Sequence, residues 1–284
     1  MKSIFVSVYM TAAVMVSAAA GQSLWASGDF VSWGGVLLVS APFVLVIGWL
    51  MIFRNVARTS ARLPALLLLA TAGVLLASWG YAQGGSPEAP LMAIGAWLGL
   101  VLYAYWYSSF NRQPSPQLEV GSMLPGFEVL DIAGRTVNST SFNDKPTIWI
   151  FHRGNWCPLC MAQIREIASQ YRDIQAMGVR VALVSPQPHK YTVGLAQRLD
   201  VPFEFMTDVC NRAAKMLGID QPCGLPMGMQ VLGYDSDTVL PTVVITEQGG
   251  RIVWAHETDN YRVRPEPEIY LDVLRDKGLI VPAT

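Results

Sequence analysis

Residues 147–160 decide the fold of this chain, and they read Thr-Ile-Trp-Ile-Phe-His-Arg-Gly-Asn-Trp-Cys-Pro-Leu-Cys. The β-branched and aromatic run Thr147–Phe151 is typical of a buried strand. It leads into Cys157-x-x-Cys160, after which apolar residues from Ile164 to Ile174 recur at helical spacing. A buried strand followed by a Cys-x-x-Cys that opens a helix indicates a redox site.

The two cysteines have different expected roles in such a site. Cys157 lies at the helix N-terminus, where unpaired N–H groups and the helix dipole favour an anion, so we expect a lowered pKa and a nucleophilic thiolate. Pro158 fits the first helical turn because its missing N–H would have no partner there. Cys160, one turn later, is close enough to attack a mixed disulfide or a sulfenic acid on Cys157. Arg153 and His152 are expected to add positive charge nearby.

A zinc site is the main alternative for a Cys-x-x-Cys in a cytosolic protein. Its other ligands would come from Cys210, Cys223 or a histidine, but the sequence contains no second Cys-x-x-Cys. The order of strand, motif and helix therefore favours the redox interpretation. A c-type haem is excluded because Met161, not histidine, follows Cys160.

Further elements extend on both sides of this motif. The pattern of apolar and turn residues predicts a hairpin over 127–137, a strand over 179–184, helices near 190–199 and 209–217, a hairpin over 242–256 and a last helix over 267–277. The parallel crossover between the strands at 147–151 and 179–184 requires the helix between them. This order predicts an α/β domain with a central mixed sheet flanked by helices.

Pro241 introduces the strand that follows Leu240. A proline cannot donate to a central ladder, so Leu240-Pro241-Thr242 suits a cis turn presented at the end of the sheet. An ordinary edge-strand proline is the alternative.

The two remaining cysteines allow more than one interpretation. Cys210 opens a predicted helix, which favours simple packing, while Cys223 lies in a stretch rich in Gly, Pro and Met. They are also candidates for a second redox pair or an alternative resolving partner. The loop from Asp220 to Leu240 is longer than usual connections, and we expect it to cover the active site.

The first 110 residues form a different kind of domain. They contain only six of the 41 charged residues: Lys2, Asp29, Arg54, Arg58, Arg62 and Glu88. Four segments, at roughly 4–21, 31–53, 63–82 and 90–110, have the length and apolarity of membrane spans. We therefore predict a transmembrane helical domain at 1–110, a polar linker at 111–119 and a soluble domain at 120–284.

The basic residues predict the orientation of these spans. Arg54, Arg58 and Arg62 lie in one loop, and Arg112 follows the last span. The only charged residues of the opposite loops are acidic, Asp29 and Glu88. The redox domain is therefore expected on the cytoplasmic side of the cell (inner) membrane, in contact with membrane lipid. A cleavable signal peptide over 1–21 is the alternative for the first segment. The net charge of −1 excludes nucleic-acid binding by bulk electrostatics.

Taken together, these motifs resemble the thioredoxin superfamily and, more narrowly, the peroxiredoxin-like alkyl hydroperoxide reductase/thiol-specific antioxidant family. The resemblance covers about Val120 to Leu279 and excludes the membrane half. It is carried by FHRGNWCPLC at 151–160, GSMLPGF at 121–127, VSP at 184–186 and RPEP at 264–267.

This resemblance implies a thioredoxin-like fold and a thiol reductant of peroxides or disulfides. Such a protein works without a metal or organic cofactor and uses an external thiol donor of the thioredoxin or glutathione type. Cys157 matches the peroxidatic position, with Trp156 and Pro158 beside it, and Pro241-Thr242 match the cis-proline loop that thioredoxins place next to the cysteine pair. A homodimer is left open.

The chain departs from both family patterns. Ile150 and Gly154 stand where typical peroxiredoxins carry Pro and Thr, and Phe151 stands where thioredoxins bury an Asp, for which His152 is a candidate substitute. Three functions therefore remain in order of preference: a membrane-anchored peroxidase in which Cys160 resolves Cys157, a thioredoxin-type disulfide reductase, and a non-catalytic sensing or docking protein.

Overall fold

The computed structural model describes residues 1–279, and these divide into two compact units. The first unit comprises Met1–Arg54, Thr59–Phe110 and Pro226–Gly228. The second comprises Asn55–Arg58, Asn111–Leu225 and the chain from Met229 onward. Residues 280–284, the end of the predicted soluble domain, lie outside the described residues.

The first unit consists mainly of four apolar helices. Their bounds are α1 Lys2–Ser27, α2 Phe30–Phe53, α3 Pro64–Ala82 and α4 Glu88–Val101, the last continuing as a π-helical segment over Leu102–Tyr107. By length and composition each is suited to cross a membrane, and each overlaps one of the four predicted segments. The Asp29 side chain caps α2 by accepting the N–H of Ser32 at 2.9 Å. A Cβ at Gly35 would lie 2.5 Å from the backbone nitrogen of Ala77, so this glycine lets α2 and α3 pack closely.

The second unit is built on a seven-stranded mixed sheet. In spatial order its strands are β2 (Thr136–Asn138), β1 (Glu128–Leu130), β5 (Glu204–Thr207), β4 (Arg180–Ser185), β3 (Thr147–Phe151), β8 (Thr242–Thr246) and β9 (Ile252–Glu257). Strands β3, β4 and β5 are parallel, and the remaining pairings are antiparallel. A separate ribbon pairs β6 (Asp220–Gln221) with β7 (Thr238–Val239). The predicted α/β fold with a central mixed sheet is confirmed.

Five helices accompany the sheet. They are α5 Pro158–Ser169, α6 Tyr171–Ala176, α7 His189–Leu199, α8 Arg212–Met216 and α9 Pro267–Asp276. The β3-to-β4 crossover contains α5 and α6, and the β4-to-β5 crossover contains α7, as parallel pairing requires. The helix predicted after Cys157 is interrupted at Gln170 and ends before Gly178, whose φ of +70° suits the end of a helix.

Strand β3 anchors the core of the second unit. All five of its residues are buried, which suits a central strand with neighbours on both edges. Trp149 and Phe151 both pack edge-on against Phe127, with ring centroids 5.4 and 5.9 Å apart, respectively. The Trp149 indole N–H donates to Thr246 Oγ1 at 3.2 Å. These contacts hold β3 rigidly, and with it the backbone that leads to Cys157.

Strand β5 is absent from the sequence prediction. It has only four residues and begins two residues after Pro202, so it lacks a long apolar run of its own. Its position is determined by pairing with β4 on one edge and β1 on the other. Tertiary pairing, and not local propensity, therefore makes this segment a strand.

The predicted cis turn at Leu240-Pro241 is wrong. No peptide bond among the described residues is cis, so this bond is trans. Strand β8 begins at Thr242, which leaves Pro241 just outside the ladder, where its missing N–H removes no strand hydrogen bond. The Pro241 carbonyl accepts Arg112 Nη1 at 3.3 Å.

Candidate functional site

The backbone leaves β3 at Phe151 and reaches the start of α5 through a tight turn. The His152 N–H donates to the Val184 carbonyl at 2.9 Å, and the Cys157 N–H donates to the Gly154 carbonyl at 3.1 Å. Gly154 has a φ of +128°, and a Cβ there would lie 3.0 Å from the Trp156 ring. Glycine is therefore the residue that suits the bend bringing Cys157 to the helix.

Cys157 and Cys160 form a close, buried pair at the N-terminus of α5. Cys157 is the N-cap residue, and its Sγ accepts the Cys160 N–H at 3.4 Å. Each thiol shifts the pKa of the other, and the two residues are only 2% and 1% exposed. Both are free thiols, so the structure represents the reduced state of the pair.

Two buried arginines place positive charge beside this pair. Arg153 stacks its guanidinium 4.5 Å from the centre of the Trp156 ring, and its Nη2 donates to the Gly224 carbonyl at 2.6 Å. Arg264 donates from Nη1 to the Val263 carbonyl at 3.1 Å. Its Nε and Nη2 are buried and have no hydrogen-bond partner within residues 1–279.

Arg264 was not among the predicted site residues. The RPEP segment that contains it contributed to the family resemblance, but nothing in its spacing from Cys157 indicates that the two are near each other. In the folded chain, the segment before α9 places the Arg264 guanidinium where its positive charge lowers the pKa of both thiols.

The electrostatics of the pair differ from the expectation for Cys157. Burial raises the pKa of the Cys157 thiol well above its ordinary value, and its hydrogen bond with Cys160 adds to this effect. Burial also opposes ionisation of Cys160, yet its pKa falls to about 6 because of the hydrogen bond from Cys157 and the charges of Arg264 and Arg153. The two thiols therefore ionise as one coupled pair, and burial opposes the lowering of the Cys157 pKa that the sequence predicts.

This arrangement predicts a single thiolate over a wide pH range. When the reduced protein is titrated, one equivalent of thiolate should appear as pH rises through about 6. The ultraviolet absorbance of the thiolate measures this change. Reactivity with a small electrophile should rise through the same midpoint, because below it both thiols are protonated. A Cys160→Ser variant serves as the control. A first thiolate that appears only near the ordinary thiol range would contradict the assignment.

His152 does not supply the positive charge expected of it. The side chain is 3% exposed, and Nδ1 has no hydrogen-bond partner in the described part of the chain. Burial lowers its pKa to about 3, because the imidazolium would lose its hydration without gaining an acidic partner. His152 is therefore neutral at physiological pH.

The segment around Pro241 lies at the edge of the sheet where the cysteine turn begins. Thr242, the first residue of β8, pairs with Phe151, the last residue of β3, so the start of β8 lies beside the end of β3. Thr238 Oγ1 donates to the Arg153 carbonyl at 3.2 Å. Together with the Gly224 contact, this bond ties the long 220–240 segment to the cysteine turn through Arg153.

Cys210 and Cys223 lie outside the buried site, and both are exposed. The expected packing of Cys210 is wrong, because Cys210 lies exposed in a 3₁₀ turn over Val209–Asn211 that precedes α8, whose buried residues are Ala213 and Ala214. No three His, Cys, Asp or Glu side chains gather into a metal-binding group among the residues described.

Comparison with known proteins places this site in a family context. Residues 120–255 match the model of the AhpC/TSA family. The chain is 25% identical over 136 residues to the chloroplastic peroxiredoxin Q of Suaeda salsa, covering 48% of this chain and 64% of that protein. It is 19% identical over 158 residues to the putative peroxiredoxin bcp of Haemophilus influenzae, covering 56% and 97%. The chain thus spans less than two thirds of the peroxiredoxin Q sequence.

Solved structures of similar proteins include peroxidoxin BcpB of Mycobacterium tuberculosis, at 14% identity and a TM-score of 0.47 over 56% of this chain and 97% of that one. A peroxiredoxin-like protein of Aquifex aeolicus gives 17% identity and a TM-score of 0.46 over 59% and 91%. The family match covers β1 through most of β9, including the cysteine turn. Residues 120–255 are therefore similar to the peroxiredoxin-like redoxins of the AhpC/TSA family.

Proposed function

We propose that this chain is a membrane-anchored thiol peroxidase in which Cys157 attacks the peroxide and Cys160 resolves the product to a disulfide. The observation that carries the proposal is the buried Cys157–Cys160 pair at the start of α5, with Arg153 and Arg264 beside it. A protected thiolate next to fixed positive charge is suited to attack a small electrophile.

The proposed reaction begins with proton transfer within the pair. The Cys160 thiolate takes the proton of Cys157 through their hydrogen bond, and the Cys157 sulfur attacks the terminal oxygen of the peroxide. The O–O bond breaks, Cys157 becomes a sulfenic acid, and the departing alkoxide takes the proton back from Cys160 to give an alcohol. The regenerated Cys160 thiolate attacks Cys157, expels hydroxide and forms the disulfide.

Arg264 is the proposed stabiliser of the departing oxygen. Its unpartnered Nε and Nη2 donors lie in a buried site close enough for their charge to act on both thiols. Donors that are fixed before the reaction stabilise developing negative charge without reorganisation. This role replaces the one that Thr plays in typical peroxiredoxins, since Gly154 offers no side chain.

The four apolar helices support a membrane location for this chemistry. Anchoring raises the effective concentration of a lipid hydroperoxide relative to a soluble peroxide. The redox unit is proposed to face the cytoplasm, where a thioredoxin- or glutathione-type donor would return the electrons. Full-length protein in lipid bilayers should consume lipid hydroperoxide faster than hydrogen peroxide at equal concentration; equal rates would remove the lipid assignment.

A thioredoxin-type disulfide reductase is the second candidate. It is favoured by one observation: Gly154 occupies the position of the peroxiredoxin Thr, while Thr242 pairs with Phe151 beside the Cys-x-x-Cys turn. The trans bond before Pro241 departs from the cis-proline loop of thioredoxins. The reduced full-length protein, given a peroxide and a disulfide-bonded protein together, should oxidise with loss of the peroxide. Preferential loss of the protein disulfide would establish the second candidate instead, and full cellular function of Cys157→Ser would favour a docking role.

A further inference from the structure

The buried position of the cysteine pair creates a problem of electron delivery. Once Cys157 and Cys160 are oxidised, a donor protein must reach sulfur atoms belonging to residues that are 2% and 1% exposed. Thiol–disulfide exchange requires direct attack of one sulfur on another, so a bulky donor needs an accessible thiol as its point of entry. Cys210 and Cys223 are the other two cysteines of the chain, and both are exposed.

These two exposed cysteines are held near each other by one set of polar contacts. Lys215 Nζ donates to the Cys210 carbonyl at 3.3 Å and lies 3.9 Å from Asp237 Oδ2. The other oxygen of the same carboxylate accepts the Cys223 N–H at 3.0 Å. A single lysine–aspartate pair therefore spans the distance between the two cysteine backbones.

A second contact supports the same proximity. Asn211, the residue after Cys210, donates from Nδ2 to the Thr238 carbonyl at 2.7 Å. Thr238 pairs with Gln221 across the β6–β7 ribbon, and Cys223 follows Gln221 by two residues. Both cysteines thus lie beside the same end of this ribbon.

The same ribbon also contacts the cysteine turn of the active site. Gly224, which directly follows Cys223, accepts Arg153 Nη2 at 2.6 Å, and Thr238 Oγ1 donates to the Arg153 carbonyl at 3.2 Å. Arg153 stacks on Trp156, the neighbour of Cys157. The segment that carries Cys223 is therefore in direct contact with the turn that carries the nucleophile.

We propose that Cys210 and Cys223 form an accessory dithiol through which an external protein dithiol reduces the Cys157–Cys160 disulfide. This inference rests on the proposed peroxidase function, because that reaction forms the disulfide. The Cys223 thiolate attacks the buried disulfide and forms a mixed disulfide, releasing one active-site thiolate. Cys210 then attacks Cys223, forms the Cys210–Cys223 disulfide and releases the second active-site thiolate. In total, two electrons and two protons move from the accessory dithiol to the Cys157–Cys160 pair.

The final step regenerates the accessory pair at the surface. A donor dithiol reduces the exposed Cys210–Cys223 disulfide and is itself oxidised to a disulfide. Closure of that bond requires the two Cα atoms to come within about 7 Å of each other. Cys223 lies in the connection between β6 and β7, where movement of the loop would break few strand hydrogen bonds.

The test compares two electron donors acting on full-length wild type, Cys210→Ser, Cys223→Ser and the matched control Ser169→Ala. With thioredoxin, its reductase and NADPH, we expect peroxide turnover to fall at least tenfold in each cysteine variant and to stay unchanged in the control. With dithiothreitol, which is small enough to reach buried sulfur, all four proteins should turn over at similar rates. Oxidised wild type mapped by mass spectrometry should contain some Cys210–Cys223 disulfide.

The outcomes separate this inference from the function on which it rests. Equal thioredoxin-driven turnover in wild type and both cysteine variants would overturn the accessory dithiol while leaving the peroxidase intact. Loss of turnover in only one variant would also overturn it, because the relay needs both sulfurs. Absence of any peroxide-driven oxidation of wild-type Cys157 would overturn the proposed function itself.

Discussion

Replacement of Cys160 by serine is expected to leave a protein that reduces one equivalent of peroxide and then stops. Without the resolving thiol, Cys157 remains a sulfenic acid that a sulfenic-acid trap such as dimedone labels. Replacement of Cys157 should remove even the first equivalent and lower peroxide consumption about a thousandfold or more, because the nucleophile is lost. Quantitative trapping followed by intact mass measures both results.

The contrast between the two variants is the informative part of this experiment. The first oxidation of Cys160→Ser should be slower than that of wild type, since Cys160 also accepts the Cys157 proton. Ser169→Ala, an exposed change at the far end of α5, should behave as wild type. If Cys157→Ser retains the first equivalent and Cys160→Ser loses it, the roles of the two cysteines are exchanged.

Replacement of Arg264 by leucine is expected to raise the pH midpoint of the thiolate by on the order of one unit and to slow peroxide reduction at neutral pH by roughly ten- to a hundredfold. Arg264→Lys should keep the positive charge but lose the planar guanidinium donors. The pH midpoint of its thiolate should therefore lie between those of wild type and Arg264→Leu. The measurement is the rate of Cys157 oxidation as a function of pH.

A stability measurement separates this electrostatic role from simple packing. In the oxidised protein no thiolate remains to balance Arg264, whose Nε and Nη2 donors are buried without a partner among the described residues of the reduced structure. Leucine at this position should therefore leave the Tm of the oxidised protein unchanged or raise it. A leucine variant with the wild-type pH midpoint and rate would show that Arg264 does not act on the pair.

Local patterns explain why much of the site was predictable from sequence. The five buried residues of β3 and the Cys-x-x-Cys with Pro158 at the start of α5 follow from propensity and capping rules that operate within a few residues. The parallel crossover follows from the same reasoning, because a helix must connect β3 to β4. The four apolar helices were equally evident from the near absence of charge.

The remaining features depend on contacts between distant parts of the chain. Arg264 reaches the thiols from more than a hundred residues away in sequence, and β5 becomes a strand only by pairing with β4 and β1. Burial of His152 removes its charge, and burial of Cys157 opposes the ionisation that its position at the helix N-terminus would favour. None of these effects has a signature in local composition, because each is set by the environment that the whole fold creates.

Oxidation of the reduced full-length protein by one equivalent of hydrogen peroxide is the decisive experiment for the proposed peroxidase. Rapid mixing, quenching with an alkylating reagent and peptide mapping would give both the rate and the position of the new bond. We expect stoichiometric oxidation, much faster than that of free cysteine, that joins Cys157 to Cys160. Oxidation no faster than that of free cysteine, or a product without this disulfide, would contradict it.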